Sequence, residues 1–135
     1  MPSAEHNFLV QMLIPKVRSR GYHIVATDTH YFQLGPLRLR RPPALVRHQP
    51  DLVGIRHSPP RLAIGEAKIG SDLRTRHTRE QLSDYARLHD AILIVAIPEA
   101  ARSAYEKLAN EIGISHLRHV SCLLVPEELM HNAEA

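Results

Sequence analysis

Cysteine, lysine and long apolar runs are all scarce in this sequence, and each shortage narrows what the protein can be. The one cysteine among 135 residues, Cys122, excludes an intramolecular disulfide and a thiolate-ligated iron–sulfur cluster, and it is typical of a reducing compartment. No apolar run approaches the ~18 residues of a membrane span, and the first residues lack the basic and apolar regions of a signal peptide. We therefore expect a cytoplasmic protein with no membrane partner.

Only three of the 17 basic residues are lysines, Lys16, Lys68 and Lys107. An arginine excess suits bidentate phosphate contacts, although GC-rich coding produces the same excess. The formal net charge of +3 permits nucleic-acid binding without requiring it. With 44% hydrophobic and 23% charged residues, the chain is predicted to form one domain over residues 1–135.

The most informative segment is an apolar hairpin with acidic and basic residues at one end. Strands are predicted over residues 51–56 and 61–68, joined by a Ser-Pro-Pro turn, because proline cannot continue a ladder. Side chains alternate faces along a strand, so Glu66 and Lys68 project together. The two ends of a hairpin lie side by side, which brings Asp51 to Glu66.

Two carboxylates and an ammonium at one point are costly to assemble. A divalent metal and an anionic substrate would complete their charge balance, because such metals prefer oxygen ligands. The hairpin therefore indicates metal-dependent phosphodiester cleavage.

The rest of the chain predicts an α/β fold in the order α-β-β-β-α-β-α-β, a mixed sheet flanked by helices. Pro15 is an objection to the first helix, because proline inside a helix costs roughly 3 kcal/mol. The basic segment 37–43 is either an exposed edge strand or an arm that reaches a phosphate backbone. Helices are predicted over 5–20, 73–89 and 99–112, and the remaining strands over 22–26, 91–97 and 117–125.

These motifs resemble the signature of the PD-(D/E)XK nuclease superfamily, the restriction endonuclease-like group. Pro50-Asp51 with Glu66-Ala67-Lys68 resembles the signature itself. Glu5 lies on a helix ahead of the strands, where several branches carry a further acidic residue. The segment from Gln81 to Tyr85 is similar to the Gln-x-x-x-Tyr motif of RecB-like members. The arginine and serine positions of archaeal Holliday-junction resolvases are not evident, which leaves the subfamily open.

The resemblance implies a nuclease that hydrolyses phosphodiester bonds in DNA, such as a structure-specific Holliday-junction resolvase. It implies Mg²⁺ or Mn²⁺ bound by Asp51, Glu66, the Ala67 carbonyl and Glu5, with Lys68 orienting the attacking water or stabilising the transition state. A symmetric homodimer is expected by analogy, because cutting both strands needs two active sites.

Several further side chains are candidates for contacting nucleic acid, and each has an alternative reading. The arginines of the predicted helix over 73–89 could form a solvated helix face, and Tyr85 could belong to the core. Gln81 could cap a helix that begins at Thr78. Glu5, a candidate metal ligand, could instead interact favourably with the dipole of its helix. His48, three residues before Asp51, could act near the scissile phosphate or lie on the surface. The candidates are Gln81, Tyr85, Arg74, Arg76, Arg79 and His48. The competing functions are a non-catalytic nucleic-acid-binding module on the same fold and an unrelated small α/β protein.

Overall fold

The computed structural model describes residues 3–27, 33, 34, 37, 38 and 44–134. Its helices are α1 (Ala4–Ser19), α2 (Arg76–Ala86), α3 (Arg102–Glu111) and α4 (Glu127–Glu134). Its strands are β1 (His23–Thr27), β2 (Gln33–Leu34), β3 (Leu37–Arg38), β4 (Leu52–Ile55), β5 (Leu62–Ala67), β6 (Ala91–Pro98) and β7 (Val120–Val125). Short 3-10 turns, Asp72–Arg74 and Glu99–Ala101, precede α2 and α3.

Five strands form one mixed sheet in the order β1-β4-β5-β6-β7. The first three pair antiparallel, and β5, β6 and β7 pair parallel. This confirms the predicted α/β class and the predicted mixed sheet flanked by helices. Among the described residues, the remaining strands, β2 and β3, pair with each other as a separate two-stranded sheet. Residues 39–43 of the predicted basic segment lie outside the described residues.

Strand β6, which lies between β5 and β7, is buried on both faces, as its continuous apolar run predicts. Alternate residues face opposite sides: Ile92, Ile94 and Ala96 pack in one core with α1 and α4. Leu93, Val95 and Ile97 pack in a second core with α2 and α3. The sheet is therefore a middle layer between two helical layers.

Helix α1 runs through Pro15 to Ser19, which confirms the helix predicted over 5–20 despite the objection that Pro15 raised. Pro15 is exposed, and the carbonyl freed four residues earlier, at exposed Gln11, can be hydrated. Five apolar side chains of α1 are buried, which offsets the lost hydrogen bond.

Two glycines let α1 lie close against the hairpin. A Cβ added at Gly54 would stand 3.0 Å from Val17 Cγ1, and one added at Gly65 would stand 3.1 Å from Leu13 Cδ1. These gaps are below ordinary contact distance. The glycines therefore fix how near α1 comes to the strands that carry the acidic residues.

Helix α2 begins later than the predicted helix over 73–89, and its cap is not Thr78. Thr75 is the N-cap residue, because its Oγ1 accepts the Thr78 N–H at 3.1 Å. Thr78 itself is buried, and Gln81 is not its capping partner. No helix in the described part of the chain is long and apolar enough to cross a bilayer.

Candidate active site

The hairpin places the two acidic residues opposite each other. Strands β4 and β5 pair antiparallel with Leu52 opposite Gly65. One residue further along that register, Asp51 faces Glu66. Lys68 follows β5 directly, so all three lie at one end of the antiparallel pair, as the strand pattern predicts.

Each of the two carboxylates accepts a hydrogen bond from a backbone N–H of the opposite strand segment. The Asp51 N–H donates to Glu66 Oε1 at 3.0 Å, and the Ala67 N–H donates to Asp51 Oδ2 at 2.8 Å. The two residues are only 7% and 1% exposed. Each carboxylate is thus oriented by the neighbouring strand rather than by solvent.

Lys68 lies between Glu66 and α2. Its Nζ is 3.4 Å from Glu66 Oε2 and donates to Gln81 Oε1 at 2.5 Å. The predicted projection of Glu66 and Lys68 to the same side is confirmed. Gln81, which the sequence predicts to face a substrate, binds the lysine.

Burial raises the pKa of Glu66 well above its ordinary value, and the nearby charge of Asp51 raises it further. The Lys68 ammonium and the Asp51 N–H oppose this shift without cancelling it. Ionised Glu66 is therefore costly in this fold as it stands, and an additional positive charge would relieve that cost.

Sequence reasoning missed His6, whose Nε2 lies 3.2 Å from Asp51 Oδ2. Glu5 stands beside it in the first turn of α1 and is partly exposed. The buried stripe of α1 includes Val10 and Ile14 as well as Leu9 and Leu13. His6 precedes these four residues by three, four, seven and eight positions, so the complete stripe indicates His6 as the inward residue of the first turn.

Helix α2 brings Tyr85 to the same region. Tyr85 is 1% exposed, and its hydroxyl is buried with no hydrogen-bond partner among the described residues. Its pKa is raised by burial first, and then by the charges of Glu66 and Asp51. Tyr85 is therefore a core residue whose ring lies within electrostatic reach of the acidic pair.

His48 is buried, so its alternative reading as a surface histidine is wrong. Its Nε2 is 2.7 Å from Asp84 Oδ2, and its ring packs edge-on against Tyr85 with centroids 5.7 Å apart. Arg47 Nη2 also reaches Asp84, at 3.2 Å. These contacts fasten the segment before Asp51 to α2.

The predicted basic residues lie on the outer side of α2, away from Lys68. Arg76 pairs with Glu80 at 3.1 Å, and Arg79 pairs with Glu111 at 2.6 Å. Arg74, in the preceding 3-10 turn, is exposed. A cleft of about 450 Å³ lies on the outer side of α2. Four arginines line it: Arg47, Arg76, Arg79 and Arg87.

The described residues contain no group of three or more His, Cys, Asp or Glu side chains arranged to hold a metal ion. The structure therefore does not gather Glu5 with Asp51 and Glu66 into a ready-made cage. Because the Ala67 N–H points at Asp51, the Ala67 carbonyl points to the same side of its strand. Two carboxylates and a carbonyl oxygen are a donor set that fits a hard divalent cation.

Comparison with known protein families, curated proteins and solved structures finds no match for this chain.

Proposed function

We propose that this chain is a metal-dependent nuclease that hydrolyses phosphodiester bonds in DNA. The observation that carries the proposal is the meeting of Asp51, Glu66 and Lys68 at one buried end of the β4–β5 hairpin. Burying two carboxylates with one ammonium stabilises a fold no better than apolar side chains would. Such a cluster, with a carboxyl pKa strongly perturbed by burial and by a specific charge, favours a functional site.

The residues divide the chemical work between binding a cation and stabilising charge. Asp51, Glu66 and the Ala67 carbonyl would hold Mg²⁺ or Mn²⁺, and a bound ion supplies an activated water and neutralises charge at the phosphorus. Lys68 supplies a fixed positive charge for a non-bridging phosphate oxygen in the transition state. His6 orients the Asp51 carboxylate through its 3.2 Å contact.

The partner class is nucleic acid. The arginines on the outer side of α2 line an open cleft, and arginine binds phosphate in a bidentate manner that suits a nucleic-acid backbone. His48 and Asp84 link that side of α2 to the segment that ends at Asp51. In this proposal, a phosphate backbone bound in that cleft extends past the His48–Asp84 contact to the acidic pair.

A structure-specific activity and a symmetric homodimer are the finer parts of the proposal. A chain of 135 residues covers little of a duplex, and cutting two strands or a branched junction takes two active sites. The helices and strands of the main sheet follow the α-β-β-β-α-β-α-β order that the sequence predicts. This order is compatible with a nuclease and selects no subfamily.

The test is a cleavage panel of linear duplex, single strand, flap, four-way junction and RNA, each with Mg²⁺, Mn²⁺ or EDTA. We expect metal-dependent cutting of at least one DNA substrate and none in EDTA. Cutting of RNA alone would refute the DNA assignment. Absence of cutting on every substrate would refute the proposed nuclease activity.

The second candidate is a non-catalytic nucleic-acid-binding module. It is favoured by the backbone N–H groups that already donate to both carboxylates, and by the lack of a three-ligand group among the described residues. Calorimetric titration with Mn²⁺ separates the two candidates. The nuclease binds the ion and loses that binding on Glu66→Ala, whereas the module binds DNA and no metal.

A further inference from the structure

The Lys68 ammonium has two oxygen neighbours of different charge, and it lies closer to the neutral one. Gln81 Oε1 is 2.5 Å from Nζ, whereas Glu66 Oε2 is 3.4 Å away. An unconstrained ammonium would approach the carboxylate oxygen to about 2.7–2.9 Å. The amide of Gln81 therefore sets the position of this ammonium.

Gln81 can do this because it stands on a fixed element. Helix α2 is capped by Thr75 and anchored in the core by Leu82 and Tyr85, and Gln81 itself is 6% exposed. The four-carbon stem of a lysine carries no positional preference of its own. Since an ammonium has no acceptor, the Gln81 amide must turn its oxygen to Lys68, which fixes the orientation of the amide as well.

The neutrality of the anchor matters for the charge of the site. Asp51, Glu66 and Lys68 together leave one negative charge. Without the anchor, Lys68 would close on Glu66 and compete with a cation for its oxygens. A carboxylate anchor would instead add a second net negative charge.

We propose that Gln81 is a positioning residue that holds Lys68 off Glu66 and so keeps Glu66 available to a divalent cation. This inference rests on the proposed function, because it concerns the cation site of the nuclease. It gives the Gln81 position a role in metal affinity that is separate from contact with the substrate.

The experiment measures Mn²⁺ affinity of the full chain by calorimetry. Gln81→Met keeps the length of the side chain and removes the acceptor, and we expect it to weaken Mn²⁺ binding about 10-fold or more. Thr78→Val is the matched control, because it removes a buried hydroxyl from the same helix without touching Lys68. It should leave Mn²⁺ affinity unchanged.

A second arm separates positioning from a general loss of structure. In a Lys68→Met background the ammonium is gone, so Gln81→Met should cause no further loss of Mn²⁺ affinity. The same loss in both backgrounds would overturn the proposal, as would equal affinities of Gln81→Met and the Thr78→Val control. If the parent protein binds no metal, the proposed function fails, and the inference falls with it.

Discussion

Replacing Glu66 by glutamine tests how costly the buried acid is. In the parent, ionised Glu66 is 1% exposed, and taking an ion out of water costs several kcal/mol. Attraction to the Lys68 ammonium, 3.4 Å from Glu66 Oε2, offsets about 5 kcal/mol of this cost at an effective dielectric constant of ~20. The Asp51 carboxylate repels Glu66. Because the pKa of Glu66 is raised, desolvation and repulsion together exceed the attraction. Glu66→Gln keeps an acceptor for the Asp51 N–H and removes the charge.

We expect Glu66→Gln to raise the free energy of unfolding by about 1–2 kcal/mol at pH 8 in EDTA, a range typical of relieving a strained functional site. The sign follows from linkage. An acid with a raised folded-state pKa contributes its full stability below its unfolded pKa, and that contribution is lost as the pH rises through the folded-state value. The advantage of the variant should therefore shrink towards zero near pH 4, where the parent carboxyl is protonated.

Urea denaturation of the two proteins at pH 8 and pH 4 measures this difference. Glu80→Gln is the control, because Glu80 is half exposed and pairs with Arg76 across one helical turn. It should change the unfolding free energy by no more than about 0.5 kcal/mol at pH 8. If Glu66→Gln destabilises the protein at pH 8, or gives the same gain at both pH values, the buried acid is not under electrostatic strain.

Two further substitutions test the packing around the site. Gly54→Ala should lower the unfolding free energy by about 1–3 kcal/mol, because its new methyl would meet Val17 at 3.0 Å and Tyr22 at 3.1 Å. Gly70→Ala, where nothing lies within 4 Å, should change it by under about 0.5 kcal/mol, and equal urea midpoints for the two would contradict this packing. Tyr85→Phe removes a buried hydroxyl that has no partner in the described chain, so thermal melting should show no loss of stability. A fall of more than about 1 kcal/mol in the free energy of unfolding would show that the Tyr85 hydroxyl makes a hydrogen bond.

The main sheet was predictable because its signals are local. The apolar run that forms β6, the Ser-Pro-Pro turn and the alternation along β5 each depend on near neighbours in sequence. The antiparallel register follows from that turn and brings Asp51 to Glu66 without further information. The sequence alone is therefore sufficient to predict that Asp51 and Glu66 meet and to which side Lys68 points.

The partners of individual side chains were not predictable, because they depend on how separate elements pack. The choice between Glu5 and His6 depends on the exact rotation of α1, which a partial apolar stripe leaves undetermined. Arg79 finds Glu111 on α3, 32 positions along the chain, and no local pattern encodes that contact. The sequence predicts Gln81 as a substrate-contacting or helix-capping residue, and only the packing of α2 brings it to Lys68.

The central claim, metal-dependent phosphodiester hydrolysis at this site, is tested most directly by the cleavage rate of Lys68→Ala beside Lys16→Ala. Lys16 is an exposed lysine of α1, so it controls for loss of one positive charge. With Mg²⁺ and the best DNA substrate, we predict that Lys68→Ala loses about 10²–10³-fold in rate. Lys16→Ala should cut within about twofold of the parent. Equal rates for Lys68→Ala and the parent would contradict the account.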